Sequence, residues 1–144
     1  KEVVRTSILK ECNLFWSLEE RRVPTMLLWF EVSLKTKCKM INIPIMHKDY
    51  LPDGLSNNIL NHKINCPFSM YLLYEKLYSS NLYKNKIFRF KSGIQKTRFY
   101  LHCLKKDGFK EFKSKYRYIS FGFPKNLGLF ALGLFFFLSD IFRK

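Results

Sequence analysis

Apolar residues recur at helical spacing near the start of the chain. Ile8, Leu9, Cys12, Phe15 and Trp16 fall on one stripe, which predicts an amphipathic helix over 7–22. Within it, Ser17-Leu18-Glu19-Glu20 has capping-box spacing, so a second short turn is expected there, with Pro24 as its stop. From 27 to 43 the period changes to two. Val32, Leu34, Thr36, Cys38 and Met40 alternate with Glu31, Ser33, Lys35, Lys37 and Lys39, the pattern of a half-buried strand.

Residues 44–66 carry Pro44, Pro52, Asp53-Gly54 and Asn57-Asn58, which predict a loop or linker. Pro67 suits a first helical position, and Met70, Leu73, Tyr74, Leu77 and Tyr78 form the stripe of a helix ending near Ser79-Ser80-Asn81. Over 86–121 alternation returns. Ile87, Phe88 and Phe90 precede a Ser92-Gly93 turn. Phe99, Leu101 and Cys103 alternate with Arg98, Tyr100 and His102. Lys106-Asp107-Gly108 is a hairpin signal, and Tyr116 and Tyr118 flank Arg117. The expectation is an α+β fold in four parts. A helix and strand occupy 1–43, a linker 44–66, and a helix plus basic aromatic β-meander 67–121. A carboxyl-terminal apolar helix follows at 126–142.

That last segment reads NLGLFALGLFFFLSDIF, with Lys125 before it and Arg143-Lys144 after it. Its length as a helix, about 25 Å, is at the short limit for a hydrocarbon core of about 30 Å. The residue pattern predicts a membrane anchor built from Leu127, Leu129, Phe130, Leu132, Leu134, Phe135, Phe136, Phe137 and Leu138, with the flanking cations snorkelling. A buried core helix is the competing reading. An interfacial helix is disfavoured because no polar face is visible.

Charge sharpens the picture. Among 144 residues, 26 Lys+Arg stand against 11 Asp+Glu, a net +15. From Lys84 to Tyr118 there are twelve basic and two acidic residues. Such a field attracts polyanions. The candidate polyanion contacts are Arg89, Lys91, Arg98, Lys105, Lys106, Lys113, Lys115 and Arg117, with Tyr100, Tyr116 and Tyr118 as stacking platforms if the partner is RNA. If the terminal helix spans, this basic part belongs on the matrix or cytoplasmic side. The first residue is Lys, so a processed or partial amino terminus is expected.

Catalytic signatures are absent: the chain contains no GxGxxG, GxxxxGK, GxSxG or HExxH string. His102 and Cys103 are adjacent, but on a strand they face opposite sides. Cys38, His47, His62 and Cys66 are chemically suited to zinc, yet their spacing matches no strong signature, and the plain alternative is a buried thiol or two and surface histidines. No cofactor and no enzymatic activity are expected. The leading expectation is a non-catalytic accessory subunit of a membrane-embedded multiprotein complex, such as an organellar (mitochondrial) respiratory or energy-transducing assembly in an inner membrane. Its partners are then other protein subunits and the anionic headgroups of the bilayer. The alternative is an RNA-binding protein of an organellar ribosome whose apolar tail is a buried helix.

Overall fold

Pro67 opens the helix on which the core is built. A computed structural model describes residues 4–12, 20, 23–37, 39, 59–80, 85–108, 110–111 and 127–142. The helices in it are α1 (Thr6–Lys10), α2 (Thr25–Lys35), α3 (Ile59–Asn65), α4 (Pro67–Ser79), α5 (Lys86–Asp107) and α6 (Leu127–Phe142). No strand occurs among the described residues, so the expected α+β class gives way to an all-helical arrangement.

α5 is the middle layer, packed between α4 and α6. On one side Phe99 and Cys103 enter a core with Phe68, Met70, Tyr71, Leu72, Leu73 and Leu77 of α4 and with Leu27 and Phe30 of α2. Tyr74 stacks on Phe99, ring centres 5.7 Å apart and planes 4° apart. Offset contacts of this kind add about 1 kcal/mol beyond burial alone. On the other side α5 meets α6 through small residues. A Cβ placed on Gly133 would lie 2.5 Å from the Thr97 Cβ, and one on Gly93 would lie 3.0 Å from a Leu129 methyl. The helices approach this closely only because glycine carries no side chain. The matched pairs Gly93–Leu129 and Thr97–Gly133 advance together along both helices, so α5 and α6 run parallel.

The β-meander expected over 86–121 is overturned as far as Asp107, where a single helix stands. Its ends are marked by local chemistry. The Asn85 side chain accepts hydrogen bonds from the Ile87 and Phe88 N–H groups, an N-cap, at 2.9 and 3.2 Å. At the other end Gly108 adopts φ +70° and its N–H donates to the Leu104 carbonyl, so Lys106-Asp107-Gly108 ends a helix instead of turning a hairpin. Ser92-Gly93, expected as a turn, is the place where α5 touches Tyr78 and Leu129. Alternation is an accident of a helix buried on two sides: Phe99 and Cys103 face α4 while His102 faces α6. Lys113, Lys115, Tyr116, Arg117 and Tyr118 lie outside the described residues.

The strand expected over 27–43 is likewise a helix from Thr25 to Lys35. Of its buried positions, Leu27, Phe30 and Glu31 share one helical stripe and Val32 lies beside it, while Leu34 is exposed. Glu31, assigned to a charged outer face, is turned inward to a salt bridge with Lys76 of α4. In the amino-terminal segment the helix stops at Lys10, and residues 13–19 lie outside the described residues. The linker expected over 44–66 contains α3 at its end; residues 44–58 lie outside the described residues.

α6 does form over the terminal apolar run. It does not support a transmembrane span: among the described residues no helix is long and apolar enough to cross a membrane. The physical reason is its length. Its 16 residues reach about 24 Å, short of a hydrocarbon core of about 30 Å. Near its end Asp140 is paired with Arg98 of α5.

Candidate functional site: the α5–α6 clamp and the outer face of α6

The site begins with Arg98, on the α6-facing stripe of α5. Its guanidinium donates from Nε to Asp140 Oδ2 at 2.6 Å and from a terminal nitrogen to Asp140 Oδ1. This is the two-pronged pairing that a planar guanidinium makes best. A further nitrogen donates to the Gln95 side chain at 3.2 Å, and the cation lies over the Phe136 ring, 5.8 Å from its centre. His102, one helical turn on, contributes Nε2 at 2.9 Å from Asp140 Oδ2, and its ring meets Phe137 edge-on. The Asp140 side chain is only 3% exposed.

Electrostatics follow the geometry. Burial raises the Asp140 carboxyl, but hydrogen bonds from Arg98 and His102, together with their charge, more than offset this and leave it below the usual range. Burial pushes the His102 imidazole down from its ordinary 6.5. The carboxylate pulls it part of the way back, and Arg98 and Lys105 oppose a second cation. His102 is therefore neutral at pH 7 and donates its Nε2 proton to Asp140. Cys103, its neighbour in sequence, sits in the α4–α5 core, where burial pushes the thiol well up. A protonated, buried thiol is no nucleophile, and the two side chains serve different interfaces.

With Asp140 held inward, the rest of α6 sorts into two faces. Leu129 and Gly133 are buried against α5, and Phe130, Leu134 and Phe137 are half-buried. Leu127, Leu132, Phe135, Phe136, Leu138 and Phe142 are exposed, Phe135 at 65% and Phe142 at 81%. Leu127, Ala131, Phe135, Leu138 and Phe142 recur every three or four residues, one stripe along the outside of the helix. The candidate anchor residues are thus divided, some holding α6 to the bundle and others facing outward. No exposed residue of α6 carries a charge.

The candidate polyanion contacts divide too. Arg89, Lys91, Lys105 and Lys106 are exposed on α5, whereas Arg98 is bound to Asp140. Tyr100 is half-buried, its ring 6.0 Å from that of Tyr71, and offers no open stacking platform. The charge balance of the surface reflects where the acids went. Glu75 pairs with Lys96, Glu31 with Lys76 and Asp140 with Arg98. Glu20 is 8% exposed and accepts from the Phe68 N–H at 2.7 Å, the Ser69 N–H at 2.8 Å and the Ser69 hydroxyl. Those amides belong to the first turn of α4, where the helix itself offers no acceptor, so Glu20 caps a helix distant in sequence; the local turn expected from its capping-box spacing lies outside the described residues. Glu20, Glu31, Glu75 and Asp140 are thus engaged within the bundle, Lys96 and Arg98 with them, while Lys86, Arg89, Lys91, Lys105 and Lys106 remain exposed beside the exposed acids Glu11 and Glu111.

Of the zinc candidates, His62 is half-buried on α3 and Cys66 is buried at the start of α4; Cys38 and His47 lie outside the described residues. No cluster able to hold a metal ion forms among the described residues. The clamp itself is invisible in the sequence at a separation of 42 residues. The one available signal is a lone Asp in an otherwise apolar helix, which demands a buried partner. Comparison of the chain with known protein families, with curated proteins and with solved structures finds no match.

Proposed function

We propose that this chain is a non-catalytic accessory subunit of a membrane-embedded multiprotein complex, and that the outer face of α6 is its docking surface. The observation that carries the reading is the division of α6. One face is fixed to the bundle by Gly133, Leu129 and the Asp140 clamp, and the other exposes Leu127, Leu132, Phe135, Leu138 and Phe142 with no charge among them. A contiguous apolar face of this kind is the mark of an interaction surface. The docking surface uses α6 side-on, so it requires no crossing of the bilayer.

The test is the native mass of the chain in cells of its source. Wild type is expected in a species several times heavier than its 17.4 kDa. Phe135→Gln with Leu138→Gln is expected to release it as a free chain with unchanged helical circular dichroism. A wild-type chain that migrates alone rejects the reading.

The sorting of charge favours a second reading, binding to RNA. Lys86, Arg89, Lys91, Lys105 and Lys106 are exposed while Glu20, Glu31, Glu75 and Asp140 are turned inward. Here the contacts are to phosphate, and affinity falls steeply with salt.

A further inference from the structure

We propose that the outer face of α6 seats on the interface of an anionic phospholipid bilayer, with the helix lying flat and Lys91 and Lys105 of α5 reaching the headgroups along one flank of it. This rests on the reading that the α6 outer face is the docking surface and names what it docks on.

A helix apolar all round is ordinarily a poor interfacial helix, because it has no side to leave in water. α6 escapes that objection. Its second face is covered by α5 instead of by polar side chains, and its one acid is sequestered there with Arg98. What remains outward is an uncharged stripe about 24 Å long, with nothing to repel an anionic surface and no charge to desolvate.

α5 supplies the complementary charge. Lys91, Arg98 and Lys105 follow one another at seven-residue intervals, two turns of helix, on the side that meets α6. Arg98 binds Asp140 beneath α6, and exposed Lys91 and Lys105 lie one step beyond it in each direction. Ile87 and Phe90, both exposed, extend the α6-facing stripe of Ile94 and Thr97 toward the amino terminus of α5. Exposed apolar side chains thus lie beside Lys91 near the amino-terminal end of α5, and with the α6 stripe and Lys105 they give the composition of a membrane-surface element. Two other occupants fit less well. A second copy brings another +15 to the same face. RNA finds no hydrogen-bonding group on the exposed side chains of α6 apart from Ser139.

Co-sedimentation of the intact purified chain with vesicles tests the seat. The probes are phosphatidylcholine vesicles with and without phosphatidylglycerol. Binding is expected to be roughly tenfold or more tighter to the anionic vesicles and to weaken with salt. Lys91→Gln with Lys105→Gln is expected to reduce it roughly tenfold. Phe135→Gln with Leu138→Gln, at positions whose side chains face out, is expected to abolish it with the melting curve unchanged. No sedimentation with either vesicle overturns the lipid seat, as does binding that survives the Phe135 and Leu138 changes. If the wild-type chain then still runs in a heavy native species that the same double variant dissolves, the docking face stands and its partner is protein.

Discussion

Arg98 and Asp140 hold α6 to α5 by a two-pronged ion pair in which the carboxylate is almost wholly removed from water. Breaking one half of such a pair strands the other charge. Asp140→Ala is expected to cost about 3 kcal/mol and to free α6 first. Thermal melting checks the first effect. Hydrogen exchange checks the second, with protection lost over 127–142 before it is lost over 67–79. Arg98→Lys is expected not to restore stability, because an ammonium cannot reproduce the fork.

His102 makes the clamp sensitive to acid. The groups facing it are Asp140 and Phe137 from α6 and Arg98, Phe99 and Lys105 from its own helix. Its folded pKa lies below the unfolded 6.5, so between those values the unfolded chain binds more protons than the folded one. Stability then rises with pH across that window and falls as pH drops below about 6.5. Asp140, with its pKa lowered in the fold, adds a second loss below about 4. Melting temperature measured from pH 7.5 to 5 is expected to decline in wild type and to decline less in His102→Gln.

Gly133 sets the spacing of α5 and α6. Its replacement by Val drives branched carbons against Thr97 and toward the Ile94 carbonyl. Overpacking here is expected to cost about 1–3 kcal/mol, whereas Gly108→Ala, which has open space but a positive φ, is expected to cost about 1 kcal/mol. Urea denaturation of both variants measures the difference.

Glu20 is expected to matter as much as a core side chain. Glu20→Gln keeps one accepting oxygen and loses the charge at the start of α4. It is expected to cost about 1–2 kcal/mol. Glu20→Ala, which leaves the Phe68 and Ser69 amides without that acceptor, is expected to cost more. Urea denaturation again reads both.

What could be read from the residues alone depended on whether the signal was local. Pro67 and the Ser79-Ser80 end mark the bounds of α4 by local chemistry, and those bounds were legible even though Pro67 to Leu73 are all buried. α5 was not. It is buried toward α4 on one side and toward α6 on the other, so its apolar residues fill more than one face and no clean 3.6-residue period survives. Its buried cations Lys96 and Arg98 imitate the polar positions of a strand, and only their acids on α4 and α6 explain why they are inside. α2 hides its period for a related reason: Glu31 is buried because Lys76 meets it. The terminal run was legible as a helix. Its attachment was not, because Asp140 marks the inner face only once Arg98 and His102 are placed opposite it.

Footprinting with hydroxyl radicals tests the central claim most directly, comparing the isolated chain with the chain in its native assembly. Phe135, Leu138 and Phe142 are expected to oxidise readily in the isolated chain and to be protected in the assembly, while Phe99 is protected in both. Equal oxidation of the three in both states contradicts the claim that this face is where the protein docks.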